Sequence, residues 1–260
     1  DLTGLQKEAN KKLNLSAEET LNISQSLYEQ KFITYPRTAS KYIPEDMWAE
    51  IPNLVRALQK RENIKQNLSQ MKWGRFNKHI VNDLRVTDHH GLLTTDKMPS
   101  ALNPKENAIY NMIAFRLLEA VSQPCIKEIT NVDLQVLHYD FTSKGCKIIE
   151  SGWRSIRGSF LDDDTEHVMD LPELKKDDEL KIKEASVLEK KTKPPVLYTE
   201  AGLLSAMESA GNDIENQGER KVLQNLGIGT AATRASIIEI LFTRNYINRE
   251  KKSLVPTEKG

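Results

Sequence analysis

The segment Phe32-Ile33-Thr34-Tyr35-Pro36-Arg37-Thr38-Ala39-Ser40 sets a phenol two residues from a guanidinium, with hydroxyls at Thr34, Thr38 and Ser40. A phenol is a possible nucleophile, and a fixed guanidinium is what a phosphodiester needs nearby. Pro36 cannot sit inside a helix and biases Tyr35 towards extended backbone, so the helix before it should end near Gln30 or Lys31. The plainer reading makes Tyr35 a half-buried aromatic and Arg37 a surface ion-pair partner. A second polar cluster is Thr87-Asp88-His89-His90-Gly91-Leu92-Leu93-Thr94-Thr95. Two adjacent histidines cannot face one site together. No further ligand stands at zinc-site spacing, so a proton shuttle or a phosphate contact suits this cluster better than a metal. A third cluster is Gly227-Ile228-Gly229-Thr230-Ala231-Ala232-Thr233-Arg234, which leads into a helix through Ala235, Ile238 and Leu241. Amides and threonine hydroxyls at a helix entry can receive an anion; ordinary loop and cap chemistry is the alternative.

The elements that carry these clusters are legible from periodicity and caps. Leu5, Ala9 and Leu13 predict a first helix over 3–15. Ser16-Ala17-Glu18-Glu19 is a capping box for a second helix, through Leu21, Ser24, Gln25 and Tyr28. Gln25 and Tyr28, with Asn22, are polar groups that could line a site beside Tyr35, although Tyr28 suits a core position as well. Pro44-Glu45-Asp46 opens a helix towards Gln59, and Asn103-Pro104 opens an amphipathic one that ends before Pro124. Between them, residues 60–80 interleave Lys and Arg with Trp73 and Phe76, a pattern of single-strand binding, although a solvated helix and loop is the commoner explanation.

From Cys125 the texture turns to strand. Val132, Leu134 and Val136 alternate with polar residues; Ser143-Lys144-Gly145 predicts the turn, and Cys146–Ile149 the returning strand. Residues 180–183 and 185–188 predict one or two further strands. The acidic run Asp162–Glu166 lacks the ligand spacing of a calcium loop and reads as solvated. Pro194-Pro195 marks a boundary, after which Thr199-Glu200 starts another helix; a short polar helix is expected within 212–226. The string ends in a helix and a small ribbon, Ile247–Arg249 with Lys252–Pro256, a winged-helix pattern. The expected architecture is α+β and multidomain: a helical unit at 1–124 carrying Tyr35, a β-rich unit at 125–197 and a helical winged-helix-like unit at 198–260.

Across 260 residues, 38% hydrophobic and 28% charged content suits a core-forming, polar-surfaced protein, and no apolar run is long enough to span a bilayer. Net charge is zero, which counts against holding nucleic acid by bulk charge but leaves a local basic groove open. Cys125 and Cys146 form neither a metal pattern nor a disulfide framework; a reducing cytoplasm is the default expectation. The chain opens on Asp1 with no initiator Met, so a processed chain or an excised piece is expected.

Taken together, the motifs resemble the type IA DNA topoisomerases, topoisomerase III in particular. Leu27-Tyr28-Glu29 with Ile33-Thr34-Tyr35-Pro36-Arg37-Thr38 resembles the active-site signature, and Asp88-His89-His90 the second motif. Pro194-Pro195, Tyr198–Ala201, Gly227–Thr230, Ala232–Arg234 and Leu254–Gly260 are similar to the third region and its entry. Order and spacing agree along nearly the whole chain. Three positions depart from the family pattern: Ala39 stands where Asp is usual, Gly91-Leu92-Leu93-Thr94-Thr95 replaces Ala-Ile-Ile-Pro-Thr, and Ala231 replaces Pro.

The resemblance implies the catalytic set Tyr35, Arg37 and His89. Tyr35 would be the nucleophile, Arg37 the holder of the scissile phosphate, and His89 the histidine near that phosphate. It implies DNA contacts at Gln25, Tyr28, Thr38, Ser40, Thr230, Thr233 and Arg234. It also implies Mg²⁺ and a catalytic glutamate supplied by a Toprim domain that nothing in this sequence matches. An internal piece of a longer enzyme is therefore expected: one that binds single-stranded DNA, relaxes DNA little or not at all by itself, and has the remainder of that enzyme as its partner. The competing expectation is a winged-helix DNA-binding module without chemistry.

Overall fold

The computed structural model describes residues 1–62, 64–65, 77–86, 88–157, 171–172, 174–184, 186–213 and 227–260. Helix α1 (Leu2–Leu13) starts where the Asp1 carboxylate accepts the Gly4 amide at 2.6 Å, and stops at Asn14, a residue type that tolerates its left-handed φ of 55°. Helix α2 (Ala17–Glu29) opens on the expected capping box. Ser16 Oγ accepts the Glu19 amide at 3.0 Å, and Glu19 accepts the Ser16 amide at 3.1 Å. Its buried positions, Ala17, Thr20, Leu21, Ser24 and Leu27, recur every three or four residues. The helix ends at Glu29, and Lys31 at φ 64° turns the chain towards Pro36.

A 3₁₀ turn over Glu45–Glu50 leads into α3 (Ile51–Leu58), so the helix expected from Pro44 forms in two pieces. Helix α4 (Pro104–Val121) carries a second capping box, Asn103 with Glu106. Trp73 and Phe76 of the basic-aromatic stretch, the acidic run 162–166 and most of the polar helix expected over 212–226 lie outside the described residues.

Two clusters of buried apolar side chains organise these helices. The first joins Leu5 and Ala9 of α1 and Leu27 of α2 to Ile51, Val55 and Leu58 of α3 and to the buried stripe of α4. The second takes the other faces of α1 and α2, through Leu2, Ala17 and Leu21. It packs them on α5 (Glu200–Ser209) and α6 (Arg234–Thr243), through Leu204, Met207, Ala235 and Ile238. The α1–α2 pair is thus a shared wall between both clusters, which brings the third polar cluster of the sequence towards the first. Thr199 caps α5 as expected, accepting the Gly202 amide at 3.1 Å.

The middle of the chain is a two-stranded antiparallel ribbon, β1 (Ile126–Val136) against β2 (Tyr139–Glu150). It reverses at Leu137-His138, not at Ser143-Lys144-Gly145. Those three residues pair inside the ribbon with Val132, Asn131 and Thr130. A glycine can sit inside a strand, and full-length pairing with β1 overrides the local turn signal. The strands expected over 180–183 and 185–188 are absent among the described residues there. That backbone is irregular, and Leu180, Ile182, Val187 and Leu188 are exposed. Alternating side chains do not make a strand unless a neighbouring backbone supplies hydrogen bonds, and no described strand runs alongside. After the ribbon, Gly152–Ile156 forms a 3₁₀ turn, in which Gly152 has φ 49° and a Cβ would sit 2.2 Å from the Pro124 carbonyl oxygen. At the C-terminal end, Asn245 at φ 57° closes α6, and β3 (Ile247–Glu250) pairs with β4 (Ser253–Pro256) as the small wing.

Candidate active site

Tyr35 and His89, 54 positions apart, are brought together by two straps laced side by side. The Thr34 amide donates to the Leu93 carbonyl at 2.9 Å, and the Thr95 amide to the Phe32 carbonyl at 3.1 Å. The Thr34 hydroxyl accepts the Leu93 amide at 2.9 Å, and Ile33 and Thr94 form an antiparallel bridge. Below these, the Gly91 amide donates to the Tyr42 carbonyl at 2.7 Å, and the Thr38 hydroxyl donates to the His89 carbonyl at 3.3 Å. Gly91 permits this approach, since a Cβ there would lie 3.3 Å from the Tyr42 oxygen.

The straps set the Tyr35 ring 4.6 Å from the His89 ring, tilted at 51°, and 5.5 Å from the Tyr28 ring, nearly edge to face at 76°. The phenol is therefore walled by α2 on one side and by the histidine strap on the other. The two histidines divide their work. His90 Nδ1 lies 2.7 Å from the Gly91 carbonyl, which can only accept, so that nitrogen carries a proton and His90 is tied to its own strap. His89 faces the phenol. Arg37 is exposed, with no partner among the described residues, and stands free to meet an anion. Gln25, one turn before Tyr28 on α2, donates to Glu29 at 3.0 Å.

The structure brings together Tyr35, Tyr28, His89 and, by chain adjacency, Arg37. It turns three of the expected DNA contacts inward. Thr38 and Ser40 are buried; the Thr38 hydroxyl also accepts the Ser40 amide at 3.1 Å, and the Ser40 hydroxyl lies 3.1 Å from the Arg85 carbonyl. Arg234 is only 8% exposed and spends its guanidinium on the Ile228 and Gly229 carbonyls and on Thr3 of α1. Thr230 and Thr233 are exposed at the entry to α6, and the Thr233 hydroxyl accepts the Thr230 amide at 2.9 Å.

Sequence reasoning names the Thr34 hydroxyl but not its task of locking the two straps, and it passes over the pair Arg85 and Tyr42. There the guanidinium donates to the phenol oxygen at 2.6 Å and rests over the ring at 5.2 Å. It also passes over the ionic knot beneath α1 and α4, where Arg157 is paired with Glu8 and lies 2.6 Å from Glu119. Burial would raise the Glu8 carboxyl, but the charge and hydrogen bonding of Arg157, with Lys12 and Arg116, outweigh it and bring its pKa down to about 2. Glu119, sharing the same arginine, is raised by burial and by the nearby Glu8. None of these residues carries a local sequence signal, because each depends on a partner far along the chain.

Among the described residues, no three His, Cys, Asp or Glu side chains are grouped so as to hold a metal ion. The described residues therefore offer no fitting ligand set for the Mg²⁺ that the resemblance implies. No helix among the described residues is long and apolar enough to cross a membrane.

The family model for DNA topoisomerase matches residues 1–260. DNA topoisomerase 3 of Bacillus licheniformis is 36% identical over 100% of this chain, and that of Bacillus subtilis 38% identical over 100%. The chain spans 37% of the length of each of these two relatives. Among solved structures, full-length topoisomerase I from Thermotoga maritima has the same fold, with a TM-score of 0.64 at 23% identity, covering 99% of this chain and 39% of that one. With motifs, fold and whole-length similarity in agreement, the chain belongs to the type IA DNA topoisomerase family and is topoisomerase III-like.

Proposed function

We propose that this chain supplies the nucleophile of an enzyme that cuts and rejoins one DNA strand. The Tyr35 phenol oxygen attacks a backbone phosphorus; the new bond is Tyr35 Oη to phosphorus, and the bond to the 3′-oxygen of the neighbouring nucleotide breaks. The phenol proton is lost, the 3′-oxygen leaves as a hydroxyl, and a 5′-phosphotyrosyl link remains. Reversal restores the strand. One phosphoester is exchanged for another, so no ATP is consumed. Arg37, exposed two residues from the nucleophile, meets the charge on the phosphoryl oxygens. His89 borders the phenol, where it can orient the phosphate or carry a proton. Gln25 and Tyr28 line the helix side of the site. Thr230 and Thr233 meet the strand further along, while Thr38, Ser40 and Arg234 shape the loops that do so.

The observation that carries this reading is the Tyr35–His89 ring contact at 4.6 Å, with an exposed Arg37 two residues along the chain from Tyr35. In the proposed organisation, residues 1–124 carry the tyrosine, 125–197 the β arch and 198–260 a winged-helix-like unit. A Toprim domain of the complete enzyme then brings Mg²⁺ and the glutamate. The test has two parts. The 260-residue chain should bind single-stranded oligonucleotide yet fail to relax supercoiled plasmid with Mg²⁺; robust relaxation by this chain alone would sink the division of labour. The complete enzyme should form a denaturation-resistant DNA adduct that Tyr35→Phe abolishes. The wing formed by β3 and β4 favours a second reading, a DNA-binding module without chemistry. That reading holds if no adduct forms before or after the substitution.

A further inference from the structure

Arg234 stands at the first position of α6 in a loop rich in exposed hydroxyls, yet it does not reach outward. Its Nε donates to the Ile228 carbonyl at 3.1 Å and Nη2 to the Gly229 carbonyl at 3.2 Å, so the guanidinium fork holds the backbone of the glycine loop. Nη1 donates to the Thr3 hydroxyl on α1 at 3.2 Å and lies 3.6 Å from Glu208, which Lys7 of α1 also pairs at 2.5 Å. The loop is pressed close: a Cβ at Gly227 would lie 2.5 Å from the Met207 carbonyl and 3.0 Å from Nη2 of Arg234. One residue before Thr3, the Leu2 amide donates to the Thr38 carbonyl at 3.0 Å, and the Thr38 hydroxyl donates to the His89 carbonyl. The glycine loop and the two active-site straps are thus bolted to the same end of α1, one through Arg234 and the other through Thr38.

We infer that Arg234 is a positioning residue that docks the Gly227–Thr233 loop on α1 at a fixed offset from the Tyr35 strap, so that one single strand engages both. This rests on the proposed DNA-cleaving role. Two weak contacts held at a fixed spacing act as one strong one for a ligand that reaches both, and separately for a ligand that reaches only one; the gain can be on the order of 10². A planar fork satisfying two loop carbonyls and one hydroxyl is a task a flexible side chain cannot take over.

The experiment is fluorescence anisotropy of labelled oligo-dT of increasing length with the 260-residue chain. Wild type should show affinity rising with length to a plateau. Arg234→Met, which keeps the bulk and loses the fork, should bind the shortest oligonucleotides within about twofold of wild type while its plateau gain falls about tenfold. Thr3→Val leaves the loop bonds of Arg234 in place and removes only the α1 side; it should reduce the plateau gain in the same direction, by about threefold. Wild-type plateaus in both variants overturn the inference. So does an equal loss at every length, which a merely structural role would give. A wild-type chain with no affinity at any length overturns the DNA role itself, and this inference with it.

Discussion

At Tyr35, the phenol oxygen and the ring do different things. The ring packs against Tyr28 and His89, while the oxygen is the reacting atom of the proposed mechanism. Tyr35→Phe in the complete enzyme should therefore leave single-strand affinity within about twofold and remove the covalent adduct altogether, read on a denaturing gel. In the proposed mechanism Arg37→Ala removes the charge that meets the phosphoryl oxygens, and cleavage should slow by about 10²-fold. Arg37→Lys should recover only part of that loss, because an ammonium cannot offer two parallel donors. The residue types at this scale were legible: a phenol, a guanidinium and an imidazole announce themselves by type, and the fold sets the phenol against the imidazole. Orientation was not. Thr38, Ser40 and Arg234 have the same polar atoms whether they face a strand of DNA or their own backbone. Only the folded partners, such as the Arg85 carbonyl for Ser40, decide between the two.

At the scale of elements, the helices were legible because their determinants are local. Two capping boxes, a proline at the first turn of α4 and three- or four-residue apolar spacing lie within a few residues of what they specify. The ribbon was misplaced because its determinant is the partner strand; the pairing of Leu134 with Phe141 leaves no room for a turn at Ser143–Gly145. The straps of the active site are likewise non-local, and Thr34 is their lock. Thr34→Val removes the acceptor of the Leu93 amide and should cost about 1–2 kcal/mol. Hydrogen exchange should show Gly91–Thr95 opening faster than the helices, with cleavage falling more than oligonucleotide affinity.

Across the whole molecule, the knot of Glu8, Arg157 and Glu119 ties α1 to α4 and to the segment that follows the ribbon. Arg157→Ala removes the more buried of the two arginines that bridge Glu8 and Glu119, leaving the exposed Arg116, and should destabilise the fold by about 2–3 kcal/mol in urea titration. Glu8 titrates near 2 when folded, well below an ordinary glutamate. Its contribution is therefore complete above about pH 5 and is lost as pH falls through the ordinary range towards 2. Acid titration of Glu8→Gln should show a shallower loss of stability across that window than wild type. No composition or motif analysis could find this knot, since its members lie 111 and 38 positions apart as Glu8–Glu119 and Glu119–Arg157.

The ribbon also has a mechanical meaning. Eleven paired residues on β1 make an arm about 36 Å long, with Leu137 at its tip 85% exposed. The arm is narrow, and among the described residues its root is held where Trp153 donates to the Gln123 carbonyl, Ile156 is buried in the helical core and Arg157 enters the ionic knot. A sideways load at the tip is therefore delivered with a long lever onto a short hinge held partly by the buried Ile156 and partly by the charges around Arg157. The charged part of that joint yields more readily in salt or acid than the apolar part. The force needed to swing the arm, measured by pulling from a tether at residue 137, should fall as either is added.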